Sequence, residues 1–194
     1  MSSSGNLHTR IYNTLPVAKE GLPFIFFGLA LVLLLLYFRS FILTLLALLC
    51  TLFTVYFFRD PKRDSDAGDR AVLVPADGKV LAIDSVEEQD SPLGVPSVKA
   101  SVFMSLFDVH VNRIPASGRI SDITYHPGKF FAANRDKASE HNERNRITLE
   151  TSDGQRIVFV QIAGIIIYLP ANSRILARPG HRVKGGQTIL GYLS

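Results

Sequence analysis

The chain has 194 residues, 47% of them hydrophobic and 20% charged, with a single Cys and no Trp, a composition that excludes a disordered polymer and a repeat array. The formal charge of +4 divides evenly: residues 1–58 carry three basic and one acidic side chain, and residues 59–194 carry eighteen and sixteen. Neither part has the dense Lys/Arg patch that binding a phosphate backbone needs, so nucleic acid is not an expected partner.

Residues 1–21 read as an N-terminal tail on the cytoplasmic side. Two uncharged apolar runs follow, Leu22–Phe38 and Phe41–Phe58, separated by Arg39 and Ser40. Each run as a helix would span roughly 26 Å, close to the hydrocarbon thickness of a bilayer. The stretch starts too late and runs too long for a cleavable signal peptide, and no small-residue cleavage site follows it. Residues 22–58 are therefore expected to be a permanent membrane anchor. Arg10 and Lys19 precede the runs and Arg59, Lys62 and Arg63 follow them, so a hairpin would place both basic flanks in the cytoplasm. The turn has neither Gly nor Pro, which leaves a shallow re-entrant pair of helices open. Either arrangement puts the chain at the inner (cytoplasmic) membrane with its soluble part facing the cytoplasm. Cys50, among Leu, Thr and Phe, reads as a small apolar side chain.

Residues 59–70, RDPKRDSDAGDR, have the composition of a linker. From Ala71 to Ser194 the pattern is one of short β-type runs: 71–74, 79–83, 98–106, 119–125, 146–150, 156–164 and 165–169. Asp77-Gly78 and Asp153-Gly154 read as hairpin turns. Pro179-Gly180 and Lys184-Gly185-Gly186 punctuate a tail that looks like the hairpin unit of lipoyl- and biotinyl-type folds. The expected fold class is a mostly β, barrel-sandwich-hybrid-like soluble domain after an α-helical anchor. Residues 154–194 contain no Asp or Glu but five Arg or Lys side chains, which suits either a solvated face or a surface leaning on anionic lipid headgroups.

Polar groups that could carry chemistry gather at two places. Asp77, in VPADGKV, sits before a glycine at a strand break, where an Asp either forms a turn or acts on a substrate. In MSLFDVHVNRIPASG, Asp108, His110, Asn112 and Arg113 crowd into six residues after an apolar strand. A His near carboxylates suits general acid or base work and equally a structural hydrogen bond. If the strand continues, Asp108 and His110 share a face. Metal ligation by Asp108, His110 and His126 has no recognised ligand spacing behind it, and no metal is expected. Asp136-Lys137-Ala138 matches a lipoyl-attachment tripeptide in a segment without hairpin character, and His141 reads as a surface residue.

The phrases FRDP, VPADGKV, SVFMSLFDVHVNRIPASG, YHPGKFFAANRDKASEHNERN, VFVQIAG and YLPANSRILARPGHRVKGGQTILGYLS, in this order, resemble the short bacterial and archaeal form of the phosphatidylserine decarboxylases. The resemblance implies a pyruvoyl-dependent lyase that converts phosphatidylserine to phosphatidylethanolamine in phospholipid biosynthesis. It implies a proenzyme that cuts itself between Gly and Ser, turning the Ser into the pyruvoyl group and leaving a β/α subunit pair, and it suggests a homodimer. By motif, Asp77 matches the Asp that assists self-cleavage in an Asp-His-Ser arrangement, and His110 matches the family's base and proton donor. Arg113 and His126 are the matching candidates for holding substrate.

The resemblance breaks at one point. The chain contains no Gly-Ser dipeptide; QIAG runs through Ile165-Ile166-Ile167 into YLP, where the family has some thirty further residues ending in the cleavage site. Ser173 and Ser194 lie beyond that point and neither follows a Gly. The expectation is an enzyme by family, inactive as this sequence stands, either because the sequence omits a segment of a working enzyme or because of an inactivating deletion; the alternative is a non-catalytic, membrane-associated lipid-binding or scaffolding protein that kept the fold.

Overall fold

The computed structural model describes residues 15–65, 67–68, 70–129 and 142–194. The Asp136-Lys137-Ala138 tripeptide and His141 lie outside the described residues. The chain divides into two compact units, Met1–Lys62 and Arg63–Ser194.

In the first unit, α1 (Leu22–Tyr37) and α2 (Phe41–Phe57) form an antiparallel hairpin. A single turn of 3-10 helix, Lys19–Gly21, leads into α1, and Pro23 occupies the first turn, where its missing N–H costs no helical bond. The hairpin is closed at its open end by a backbone bridge between Val17 and Arg59 and by the Ala18 N–H donating to the Phe58 carbonyl. Close packing needs small residues here: a side chain on Gly28 would run into Thr51, and one on Gly21 into the Phe58 ring. The connecting turn lacks glycine, and Arg39 takes the left-handed conformation itself, at φ 54°. The outward faces of both helices are apolar all round, with Phe24, Phe27, Phe41 and Ile42 among the exposed side chains. Residues Lys19–Tyr37 are long and apolar enough to cross a membrane, while Phe41–Phe57 is shorter. A helix apolar on every face is compatible with membrane association.

The second unit is mostly β. A seven-stranded antiparallel sheet has the order β4 (Arg119–His126), β5 (Arg144–Glu150), β6 (Arg156–Gln161), β7 (Ile165–Pro170), β3 (Ser97–Phe103), β2 (Gly78–Val86), β9 (Arg182–Val183). A three-stranded sheet has the order β1 (Ala71–Leu73), β10 (Ile189–Tyr192), β8 (Arg174–Ile175). One core joins the two: Val72 and Leu190 from the smaller sheet pack with Val80, Val102, Phe159 and Ile167 from the larger. Each fully buried side chain of this size is worth about 1.5–3 kcal/mol relative to exposure.

The long apolar runs of β6 and β7 have a simple cause: both faces are covered. Ile157, Phe159, Ile165 and Ile167 face the main core, while Val158, Val160, Ile166 and Tyr168 pack around Leu93 on the other side. Burial there pushes the Tyr168 phenol above its ordinary value of 10.0, against an opposing pull from Arg144. Above pH 10 the folded chain therefore holds a proton that the unfolded chain has lost, so this group's contribution is intact below that pH and declines as pH rises towards the folded value. Tyr168→Phe is expected to flatten the fall of the denaturation midpoint on the alkaline side of pH 10; an unchanged alkaline slope would contradict this.

Three local expectations are corrected. β3 ends at Phe103, and residues 104–118 form a loop, so Asp108 and His110 do not share a strand face. The chain turns at Ser105–Asp108, where the Ser105 N–H donates to Asp108 Oδ2 at 2.8 Å and the Asp108 N–H to the Ser105 carbonyl at 3.0 Å. Asp77-Gly78 is a crossing between the two sheets, since β1 pairs with β10 and β2 with β3 and β9. The turns at Pro179-Gly180 and Lys184–Gly186 likewise pass from one sheet to the other. Asp153-Gly154 does close a hairpin, between β5 and β6.

Candidate functional site

Three segments distant in sequence converge beside the start of β2. Backbone bonds hold them: the Arg113 N–H donates to the Pro75 carbonyl at 2.7 Å, and the Gly186 N–H to the Val74 carbonyl at 2.8 Å. Gly185 lies so close to the backbone of Pro75 and Ala76 that a Cβ there would stand 2.9 Å from Ala76 Cα. Only a glycine lets its N–H reach Asp77, and it donates to Asp77 Oδ1 at 2.7 Å. Gly186, at φ +69°, makes room for the Arg113 side chain, whose Cδ crosses the space a Cβ would need.

Asp77 is 8% exposed, and Arg63 Nη2 donates to its other carboxylate oxygen at 2.8 Å. Both partners are almost buried, with side-chain exposures of 11% for Arg63 and 12% for Asp77. Arg63 reaches towards Gln187 Oε1 as well, at 3.4 Å. Sequence reasoning misses this arginine, which reads there as one charge in a linker. Its only sequence signal is its place next to the FRDP phrase.

His110 lies on the loop that also supplies Arg113, just after the buried Val109. Its Nδ1 is 3.0 Å from the Asp108 carbonyl oxygen. A proton on Nδ1 satisfies that contact and leaves the lone pair on Nε2, the state a general base requires. Asp77 is bound by Arg63 and Gly185, and His110 is oriented by a backbone carbonyl. Asp108 is held by the Ser105 N–H and, at 3.5 Å, by the largely exposed Arg182, an ion pair that contributes little on its own.

The structure thus brings Asp77 and Arg113 to one place with His110 on the adjoining loop. His126 is elsewhere: it ends β4 opposite Arg144, and four strands separate β4 from β2 in the sheet. Its Nδ1 is buried without a hydrogen-bond partner among the described residues. No group of three His, Cys, Asp or Glu side chains among the described residues is placed to hold a metal ion.

The point where the resemblance breaks lies at the same end of the sheet. Val102 pairs with Ile165 of β7 on one side and with Val80 of β2 on the other, and Phe103 with Lys79. Gly164 is therefore two strands away from Gly78, about 10 Å by ordinary strand spacing. The residue after Gly164 is Ile165, which is 1% exposed, carries no hydroxyl and is fixed in the core. Ser173 is at the far end of β7, in the turn where its N–H donates to the Pro170 carbonyl, and the Ser194 hydroxyl donates to the Asn172 carbonyl.

Residues 50–167 match the family model described as phosphatidylserine decarboxylase. The phosphatidylserine decarboxylase proenzyme of Syntrophus aciditrophicus is 39% identical over 206 positions, covering 90% of this chain and 96% of that protein. Proteins of the same description from Desulfotalea psychrophila and Syntrophotalea carbinolica are 38% and 42% identical, each over 92% of this chain and 97% of their own length. No solved structure matches.

Proposed function

The chain belongs to the phosphatidylserine decarboxylase family, and from that premise we propose that it is built for the decarboxylation of phosphatidylserine to phosphatidylethanolamine, in a form that cannot complete its own processing. Asp77, His110 and Arg113 are the residues assigned to that chemistry. His110 Nε2 accepts the proton of an attacking hydroxyl, the Asp77 carboxylate organises the turn on which that attack depends, and the Arg113 guanidinium meets the anionic headgroup. His126 stands outside this group, four strands away.

The observation that carries the reading is the junction at Gly164–Ile165. The pyruvoyl group implied by the resemblance is made from a serine that follows a glycine, and here that position holds a buried isoleucine. The residues present do not fit the group: Ser173 lies buried in the turn at the opposite end of β7, the Ser194 hydroxyl donates to the Asn172 carbonyl, and neither follows a glycine. The alignments support the same conclusion. They run over 206 and 208 positions while taking in only 90% and 92% of 194 residues, which leaves about 30 positions with no counterpart in this chain. An uncut chain also gives no β/α subunit pair; a homodimer of intact chains is the assembly assigned to it.

The anchor supports a substrate that stays in the bilayer, since a diacyl lipid has to be met at the membrane surface. We assign the β unit to the cytoplasmic side of the inner membrane on the basic residues flanking the hairpin, Lys19 before it and Arg59 and Lys62 after it. The passage of the tail between two sheets favours a barrel-sandwich-hybrid-like arrangement. Without processing, the function left to the chain is the alternative one, lipid binding or scaffolding at the membrane.

Intact mass and turnover test this together. The purified 194-residue chain is expected as one species near 21.4 kDa, releasing no CO2 from phosphatidylserine vesicles. Two fragments, or sustained CO2 release, would overturn the claim that it does not process itself.

A further inference from the structure

From Gly21 to Phe58 the chain has one charged side chain, Arg39, and it stands at the tip of the hairpin formed by α1 and α2. Lys19, Arg39 and Arg59 follow one another at intervals of 20 residues. At the rise of a helix each arm therefore measures about 30 Å from charge to charge, the thickness of a bilayer's hydrocarbon core.

The tip is polar in three ways. Arg39 takes φ 54°, a conformation that glycine adopts without strain, so the turn itself gains nothing from an arginine and the charge needs another reason. Arg39 makes no ion pair among the described residues. The start of α2 is uncapped: Ser40 makes no side-chain bond there, and the Phe41, Ile42 and Leu43 N–H groups have no partner among the described residues. A guanidinium and three open N–H groups are costly in hydrocarbon, which argues against a re-entrant hairpin that ends at the midplane.

The arms argue against a pair lying flat along one surface. A helix in the interface needs a polar face for its water side. α1 has no polar side chain from Leu22 to Leu36. The threonines of α2 spend their hydroxyls on their own helix, Thr44 donating to the Ser40 carbonyl at 2.9 Å, Thr51 to Ala47 at 2.7 Å and Thr54 to Cys50 at 2.9 Å.

We propose that the hairpin crosses the whole bilayer, with Tyr37, Arg39 and Ser40 among the phospholipid headgroups of one leaflet and Lys19, Tyr56 and Arg59 among those of the other. Each end then carries a tyrosine close to an arginine, the amphipathic ring at the level of the headgroups. At the base the Arg59 guanidinium lies over the Tyr56 ring, 3.8 Å from its centroid, and at the tip Tyr37 and Phe38 stack edge to face at 5.4 Å. The open N–H groups of α2 meet water and headgroup oxygens. Residues 59–194 leave the membrane on the side of Lys19, so lipid chemistry there is confined to one leaflet. The inference rests on the reading of a membrane anchor and is independent of decarboxylation.

The test uses the full chain with Cys50→Ala, produced in a bacterial inner membrane, with one new cysteine at a time. Ser40→Cys and Phe41→Cys mark the tip, and Ser152→Cys, in the exposed turn between β5 and β6, marks the β unit. A membrane-impermeant maleimide is added to spheroplasts and to inverted membrane vesicles, and detergent-opened samples give full labelling for each variant. The tip variants are expected to label in spheroplasts and to lose that labelling in inverted vesicles, with Ser152→Cys doing the opposite. The mirror-image pattern would keep the crossing and overturn the cytoplasmic assignment of the β unit. Labelling of the tip and of Ser152→Cys from the same side would show a pair lying at one surface, and tip labelling only in detergent would show an end buried in hydrocarbon. Either result overturns the proposal.

Discussion

If the proposed reading holds, a segment of about 30 residues, taken from the corresponding stretch of the Syntrophus aciditrophicus relative and inserted between Gly164 and Ile165, is expected to yield a chain that cuts itself and releases CO2 from phosphatidylserine. The reasoning is geometric. Residues on either side of the junction already stand at the end of the sheet that holds Asp77, with Val102 between Ile165 and Val80. The present connection is a tight turn, the Ile162 N–H donating to the Gly164 carbonyl at 3.0 Å, and a longer connection at a surface turn costs little chain entropy. What the insertion would supply is the glycine-serine pair that the resemblance implies, at the end of the sheet that holds Asp77, while His110 Nδ1 is already committed to the Asp108 carbonyl. Cleavage should appear as two fragments by intact mass, and His110→Ala in the inserted chain should slow it by about 10²–10⁴-fold, the usual contribution of a general base. A folded insertion variant that stays in one piece would mean that the site is damaged somewhere besides the junction.

Much of the fold was legible because burial writes itself into sequence directly. The β4 and β5 runs fall within a residue or two of their positions, and IIIYL is continuous because β7 is covered on both faces, as an internal strand should be. What could not be read is whatever depends on a partner far along the chain. SVFMSL looks like one strand to Leu106, yet Asp108 captures the Ser105 N–H and turns the backbone after Phe103. Asp77-Gly78 has the composition of a hairpin, but the two strands it joins find partners in different sheets, and a local pattern has no access to that choice.

The site divides the same way. Gly185-Gly186 was visible as a turn, and its function as the donor to Asp77 was not, since 108 positions separate the two. Asp77 bonds to Arg63 through one oxygen and to the Gly185 N–H through the other, partners 14 and 108 positions away that the Asp-His-Ser resemblance does not point to. Arg63 was hidden by its neighbours, because one arginine in a charged stretch with Asp60, Lys62 and Asp64 reads as solvated.

That arginine carries the other large expected effect. Arg63→Ala should destabilise the β unit by about 3 kcal/mol, because it leaves a nearly buried carboxylate with the Gly185 N–H as its remaining donor. The cost lies in the orphaned charge more than in the lost bond, and a second substitution separates the two. Asp77→Asn preserves an oxygen for Gly185 while removing the charge, so Arg63→Ala combined with Asp77→Asn should recover much of the loss. Denaturant midpoints of the wild type, both single variants and the double variant give the coupling energy. A near-zero coupling would show that Arg63 acts through its packing and its contact with Gln187, and Asp77 would then be held in place by the Gly185 turn alone.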